Sequence, residues 1–265
     1  MNNVYTHGHH ESVLRSHSWR TAQNSAGYLL EQLRPGMSLL DVGAGPGTIT
    51  ADLARLVGPG RTTALEANAA ALDITRAAFE NLDLDVEFVV GDVHALDLPD
   101  DTYDVVHAHQ VLQHVADPVQ ALREMRRVCK PGGLVAVRDS DYHGFVWYPQ
   151  LPELDEWMEL YQRIARRNGA EPDAGRRLVS WAQAAGFTDV APTSSNWLYA
   201  TGQQRRWQAR VWGERVLHSA FADQALEYGF ANAADLARIS AGWHRWGSTD
   251  DGWFLIPNGE VIARA

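Results

Sequence analysis

The chain has 265 residues, 45% of them apolar and 21% charged, the balance of a globular protein able to bury a sizeable core. Its formal net charge of −10 speaks against a general nucleic-acid binder, because that binding rests on Lys and Arg displacing counterions. The single cysteine, Cys129, rules out a disulfide framework and a thiolate metal site, and no apolar stretch is long enough to span a bilayer.

The polar start MNNVYTHGHHES has no signal-peptide core, so a cytoplasmic protein with no membrane partner is expected. Apolar residues near helical spacing predict a helix over 9–33, closed by Pro35-Gly36. The apolar run 38–42 reads as a buried strand that ends in the turn GAGPG. A helix over 48–56, a strand over 62–66, a helix over 69–81 and a strand over 86–91 follow. Next come a strand over 103–108, a helix over 118–128 stopped by Lys130-Pro131-Gly132-Gly133, and a strand over 134–138. Strands alternating with helices in this way predict a doubly wound, mostly parallel α/β sheet covered on both faces.

Beyond Asp139 the pattern changes. Residues 141–172 are aromatic and polar, with helical periodicity only over 154–167. A helix over 175–185, a strand over 188–191, a helical stretch over 202–245 and a closing strand over 253–263 complete the chain. The expected organisation is an N-terminal helical lid segment, 1–34, and a main domain, 35–265, with lid insertions at about 141–172 and 197–246. Nine of the ten tryptophans lie at or after Trp147. They either fill the core of the lid or wall an aromatic substrate pocket.

Chemistry concentrates at the strand ends. In Leu39-Leu40-Asp41-Val42-Gly43-Ala44-Gly45-Pro46-Gly47 a strand leads into a turn with glycine at every second position, which lets backbone approach a ligand at a helix N-terminus. A dinucleotide site would place its third glycine where Thr48 stands, so the spacing favours a ligand without a pyrophosphate. Glu66 ends the second strand and Asp92 the third, where carboxylates can accept ribose hydroxyls and an adenine amino group.

With these features in place, residues 35–140 resemble the class I S-adenosylmethionine-dependent methyltransferases, in particular the small-molecule group similar to ubiquinone and menaquinone biosynthesis methyltransferases. The resemblance rests on LLDVGAGPG, on Glu66, on Gly91-Asp92-Val93, on Lys130 to Gly133 and on the segment His-Ala-His-Gln-Val-Leu-Gln-His-Val-Ala-Asp-Pro at 107–118. It implies a seven-stranded, mostly parallel Rossmann-like sheet with a helical lid and a closing hairpin from Val190 to Tyr199 and 253–263. It implies S-adenosylmethionine as cofactor. Gly43, Ala44 and Gly45 would touch it through backbone atoms, Glu66 with Ala67 would take the ribose, and Asp92 with Val93 the adenine. His109 and Gln110 would lie beside the methionine portion. Arg20 would either reach the cofactor's carboxylate or stay a solvated helix-face residue.

Methyl transfer from a sulfonium is an in-line displacement, so positioning supplies most of the rate and a base matters only if the acceptor loses a proton. His114 and His143 are the candidate bases, and Asp139 could orient one of them or hold a polar acceptor. Tyr142, Trp147, Trp197 and Trp212 are candidate acceptor contacts, suited to a small aromatic or apolar metabolite or natural product, unless they pack the lid. His7, His9 and His10 form a terminal HGHH with no carboxylate at ligand spacing, so no metal is expected. The partner is a small molecule, with a homodimer left open. The rival readings are a regulatory protein that binds the cofactor without transferring its methyl, and an NAD-linked oxidoreductase, which the glycine spacing disfavours.

Overall fold

The computed structural model describes residues 19–265, so the HGHH segment and the start of the expected first helix lie outside the described residues. Within the described part of that helix there are two single turns, Ala22–Ser25 and Gly27–Leu30, separated where Ala26 leaves helical geometry at φ −134° and ψ 21°. Elements then alternate in chain order: β1 (Leu39–Val42), α1 (Thr48–Val57), β2 (Thr62–Glu66), α2 (Ala69–Phe79), β3 (Val86–Val90) and β4 (Tyr103–His109). They continue with α3 (Pro118–Val128), β5 (Cys129–Ser140), β6 (Val146–Tyr148), α4 (Pro152–Arg167), α5 (Leu178–Ala184) and β7 (Val190–Tyr199). The chain closes with α6 (Gly202–His218), α7 (Ala220–Glu227), α8 (Ala233–Gly247) and β8 (Trp253–Arg264).

Helix starts follow local chemistry. Asn68 Oδ1 accepts from the Ala71 N–H at 3.0 Å to open α2, and Asp117 Oδ1 accepts from the Gln120 N–H at 2.9 Å, with Pro118 at the first helical position of α3. The sequence 202–245 reads as one helical stretch, but it forms three helices. Ser219, extended at ψ 174°, ends α6 and caps α7, while Gly229, at φ +65°, and the Asn232 cap separate α7 from α8.

The sheet has eight strands in the order β3-β2-β1-β4-β5-β8-β6, with β7 also paired to β8. Pairings among β1 to β5 are parallel, as expected for a doubly wound sheet. The eighth strand, beyond the seven expected, is the three-residue β6, which pairs antiparallel with the start of β8. Strand β5 begins at Cys129, ahead of 134–138: Lys130 to Gly133, with Gly132 at φ +80°, bulge away from β4 between the pair Tyr103 with Cys129 and the pair Val105 with Leu134, and pair instead with the end of β8. The Gly132 N–H donates to the Ala265 carbonyl at 2.9 Å and carries the segment into the sheet.

The chain divides into two compact units. The sheet unit holds 19–139, Ala174–Ser195 and Asn258–Ala265, and the aromatic unit holds Ser140–Asp173 and Asn196–Pro257. In the sheet unit alternate strand residues feed two aliphatic cores. Leu40, Val42, Val106 and Ala108 pack with Leu122 and Met125 of α3 and Leu178 of α5, while Leu39 and Val105 pack with Ile49, Leu53 and Val57 of α1. In the aromatic unit the core is built from rings, with Trp157, Trp243 and Phe254 fully buried and Trp157 edge-on to both Trp212 (4.5 Å between centroids) and Trp243 (4.9 Å).

Candidate functional site

In open α/β sheets ligands bind outside the carboxyl ends of the strands, at the point where strand order reverses. Here that point lies between β1 and β4. The turn after β1 is held open by backbone that only glycine adopts readily, with φ of +69° at Gly43, +58° at Gly45 and +78° at Gly47. A Cβ at Gly43 would meet Val111 Cγ2 at 2.5 Å, whereas one at Gly45 would meet no atom within 4 Å, so the Gly45 backbone borders open space.

Glu66, at the end of β2, accepts from the Gly45 N–H at 2.5 Å, which ties the acidic residue to the turn. Burial pushes its carboxyl above the ordinary value, opposed by backbone hydrogen bonds from Gly45 and Ala67. Asp92 differs: its side chain is 69% exposed and its Oδ1 accepts from the His94 N–H at 2.9 Å and meets His94 Nδ1 at 2.6 Å. The His94 backbone hydrogen bond holds its pKa low. Val93 beside it is buried.

Past β4, Gln110 takes a left-handed φ of +54°, and its Oε1 accepts from Arg20 Nη2 at 2.6 Å. His109 is buried at the strand end. His114, which closes the short helical turn Leu112–His114, has its pKa driven down to about 3 by its enclosure and by the charge of Arg20. Its ring is therefore neutral at pH 7 and holds a proton weakly. Asp139, fully buried near the end of β5, accepts from the Gln113 N–H at 3.1 Å through Oδ1. Burial raises its pKa to about 7 against the pull of backbone hydrogen bonds from Gln113 and Leu112.

The sheet unit thus contains Arg20, Gly43, Ala44, Gly45, Glu66, Ala67, Asp92, Val93, His109, Gln110, His114 and Asp139, with direct bonds joining Glu66 to Gly45 and Arg20 to Gln110. His143, Tyr142, Trp147, Trp197 and Trp212 belong to the aromatic unit. Its exposed His143 ring meets Asp173 Oδ2 through Nδ1 at 3.3 Å, and Asp173 also accepts from Gln162 and Arg166, each at 2.8 Å. Trp147, Trp197 and Trp212 are buried in the ring core.

Sequence reasoning passes over two buried polar groups of the sheet unit. Asp41 meets His107 Nδ1 at 2.7 Å and accepts from Thr50 Oγ1 at 2.5 Å, so the turn's leading strand is pinned to β4 and α1. A charged residue inside the apolar run of β1 is the signal that could have marked it. Glu260 on β8 receives Arg138 Nε at 3.2 Å and Thr193 Oγ1 at 2.8 Å, a meeting of residues far apart in sequence that no local pattern announces. Among the described residues no group of three His, Cys, Asp or Glu side chains could hold a metal ion, and no helix is long and apolar enough to cross a membrane.

The donor set fits a nucleoside ligand with hydroxyls: a carboxylate beside a backbone turn, and open space at Gly45. The family model described as methyltransferase domain matches residues 40–137. An uncharacterized methyltransferase of Schizosaccharomyces pombe is 32% identical over 268 residues, spanning 97% of this chain and 95% of that protein. A ubiquinone/menaquinone biosynthesis C-methyltransferase of Hahella chejuensis is 39% identical over 108 residues, 40% of this chain and 43% of its own length. The fold is shared with a phosphoethanolamine N-methyltransferase of Haemonchus contortus, solved with S-adenosylhomocysteine (TM-score 0.54, 18% identity, 89% of this chain and 51% of that one). The glycine turn, the acidic strand ends and near full-length kinship to a methyltransferase agree: the chain belongs to the class I S-adenosylmethionine-dependent methyltransferases and is an enzyme using that cofactor.

Proposed function

We propose that this enzyme methylates a small, aromatic or largely apolar metabolite, with the cofactor held by the sheet unit and acceptor recognition lying in the aromatic unit. S-adenosylmethionine, when bound, supplies a methyl group already activated on sulfur. The chain's part is therefore to bind, align and exclude water. Gly43, Ala44 and Gly45 offer backbone atoms to the cofactor, Glu66 with Ala67 takes the ribose hydroxyls, and Asp92 with Val93 takes the adenine. His109 and Gln110 border the methionine portion, and Arg20, through its bond to Gln110 Oε1, fixes that side chain.

The observation that carries the cofactor assignment is the Glu66 carboxylate bonded to the Gly45 N–H at 2.5 Å. The acceptor class rests on the composition of the aromatic unit, rich in Trp and Tyr. His143, oriented by Asp173, is the candidate base there, whereas the low pKa of His114 suits it to hydrogen bonding as a neutral ring. Release of S-adenosylhomocysteine should be measured across a library of small phenols, quinols, amines and carboxylic acids. Turnover confined to aromatic acceptors supports the reading. Turnover only with charged aliphatic acceptors refutes the acceptor class, and no turnover with any member while both cofactor forms bind favours a binding protein.

A further inference from the structure

The end of β5 carries a buried polar atom that the protein leaves unanswered. Asp139 is 0% exposed, and Oδ1 accepts from the Gln113 N–H at 3.1 Å, but Oδ2 has no hydrogen-bond partner among the described residues. A carboxylate oxygen buried without a partner is costly, so it calls for an answering group, and a ligand's charge is one that could supply it. Its position is specific. β5 is the immediate neighbour of β4, about 5 Å away, and β4 with β1 forms the crevice at which strand order reverses. Asp139 therefore stands one strand from the place where the reacting end of the cofactor is expected, beside Gln113 and the turn that carries His114.

We propose that the Asp139 carboxylate is the counter-charge to the methyl donor's sulfonium, so that the enzyme prefers the charged donor over its neutral product. The inference rests on the cofactor lying at the β1 and β4 crevice. S-adenosylmethionine and S-adenosylhomocysteine share every polar group and differ in the methyl and in one positive charge on sulfur. Their affinity ratio therefore isolates what the protein does with that charge. Product exchange for fresh donor would then be helped by electrostatics rather than by shape.

The charged and titratable groups around Asp139 fit this role. Arg138 and Arg20 favour its ionised form, but Arg138 also answers Glu260 at 3.2 Å, and Arg20 bonds Gln110 at 2.6 Å. Tyr28, whose pKa lies well above its ordinary value, and His114, at about 3, are both neutral near pH 7. His109, on the neighbouring strand opposite Arg138, is the other ring whose contribution the variant must separate. With a carboxyl pKa of about 7, Asp139 is neutral in mild acid and ionised in mild alkali.

Calorimetry with both nucleosides on wild type and Asp139→Asn tests this. In the wild type, preference for S-adenosylmethionine over S-adenosylhomocysteine should rise about tenfold between about pH 5.5 and about pH 8.5, and in Asp139→Asn it should be flat. A second measurement needs no variant: adding S-adenosylmethionine at about pH 6 should bleach the infrared band of a buried protonated carboxyl, and S-adenosylhomocysteine should leave it. A ratio that falls with pH, that is flat in the wild type, or that keeps its slope in Asp139→Asn overturns the proposal, the last by assigning the charge to a group such as His109. An infrared band that both ligands bleach alike also overturns it. Failure of either nucleoside to bind at all overturns the cofactor assignment as well, and is distinguishable because no ratio exists.

Discussion

The two units solve the problem of burial with different materials. The sheet unit packs Val, Leu and Ala around its strands and encloses polar groups among them: Glu66 and Asp139 accept from the backbone N–H groups of Gly45 and Gln113, Asp41 meets the side chains of His107 and Thr50, and His114 meets that of Gln113. The aromatic unit packs rings against rings, and the indole nitrogens of Trp147, Trp157 and Trp243 are buried without a hydrogen-bond partner among the described residues, whereas Trp246 donates to the Tyr148 carbonyl at 3.1 Å. In the first unit Glu66 is tied to the glycine turn, whose Gly45 backbone borders open space. In the second, Trp157, Trp243 and Trp246 are fully buried, as rings that pack a core are.

The comparison breaks most visibly at Trp157. It lies at the centre of the ring core, with Trp212, Trp243 and Tyr161 around it. Trp157→Ala should destabilise the protein by about 3–5 kcal/mol, read as a lowered denaturant midpoint. If the rings of this unit serve packing, Trp147→Ala and Trp212→Ala should lose stability in the same manner. A normal midpoint with lost acceptor turnover would make either residue a pocket wall.

The next effect belongs to the other unit and should leave stability nearly untouched. Glu66→Ala removes the carboxylate assigned to the ribose and should weaken S-adenosylhomocysteine binding by roughly 1.5–3 kcal/mol in calorimetry. Unchanged affinity in a folded variant would remove Glu66 from the site. The two variants together separate the units: one loses folding free energy, the other binding free energy.

How much of this was legible follows the same division. The five parallel strands and the glycine turn can be read directly, because a short buried strand ending in glycines that need positive φ leaves a local trace at Gly43, Gly45 and Gly47. The aromatic unit is harder. Its helices 202–218, 220–227 and 233–247 are continuous in helical periodicity, and what divides them is a serine and a glycine whose backbone departs from the helix only in three dimensions. The Lys130 to Gly133 segment is half legible, since its Pro and Gly announce the departure from β4 that the register shift and the positive φ of Gly132 show, while its pairing with the last residue of the chain has no local trace. Asp139 was visible as a strand-end acid, but the unanswered Oδ2 depends on partners brought from elsewhere.

Acid and base should act oppositely on two residues that sit close together in the sheet unit. The folded pKa of His114, about 3, lies below its ordinary 6.5, so its contribution to stability is present above pH 6.5 and is lost as pH falls toward 3. The folded pKa of Asp139, about 7, lies above its ordinary 3.8, so its contribution is present below pH 3.8 and is lost as pH rises toward 7. The two slopes oppose each other where the windows overlap. Asp139→Asn should therefore sharpen acid sensitivity, and His114→Gln should make stability fall as pH rises, each by at most about 1.4 kcal/mol per pH unit. Parallel stability profiles for both variants would show that neither group titrates as its surroundings dictate.

The smallest expected effect contrasts the two carboxylates proposed to hold the cofactor. Asp92 is 69% exposed and already accepts from the His94 N–H, so a ligand donor would replace water or a local bond rather than fill a buried void. A hydrogen bond made under such conditions contributes little net free energy, because the unliganded state is nearly as well satisfied. Asp92→Ala should weaken S-adenosylhomocysteine binding by about 0.5–1 kcal/mol, well under the Glu66→Ala effect. The His94 cap is lost with it, so Asp92→Asn, which keeps an oxygen for the His94 N–H, separates the two causes. If Asp92→Asn binds normally and Asp92→Ala does not, the loop geometry carries the effect. If both lose affinity equally, the charge on Asp92 acts on the ligand directly, and the exposed strand end contributes as a true binding group.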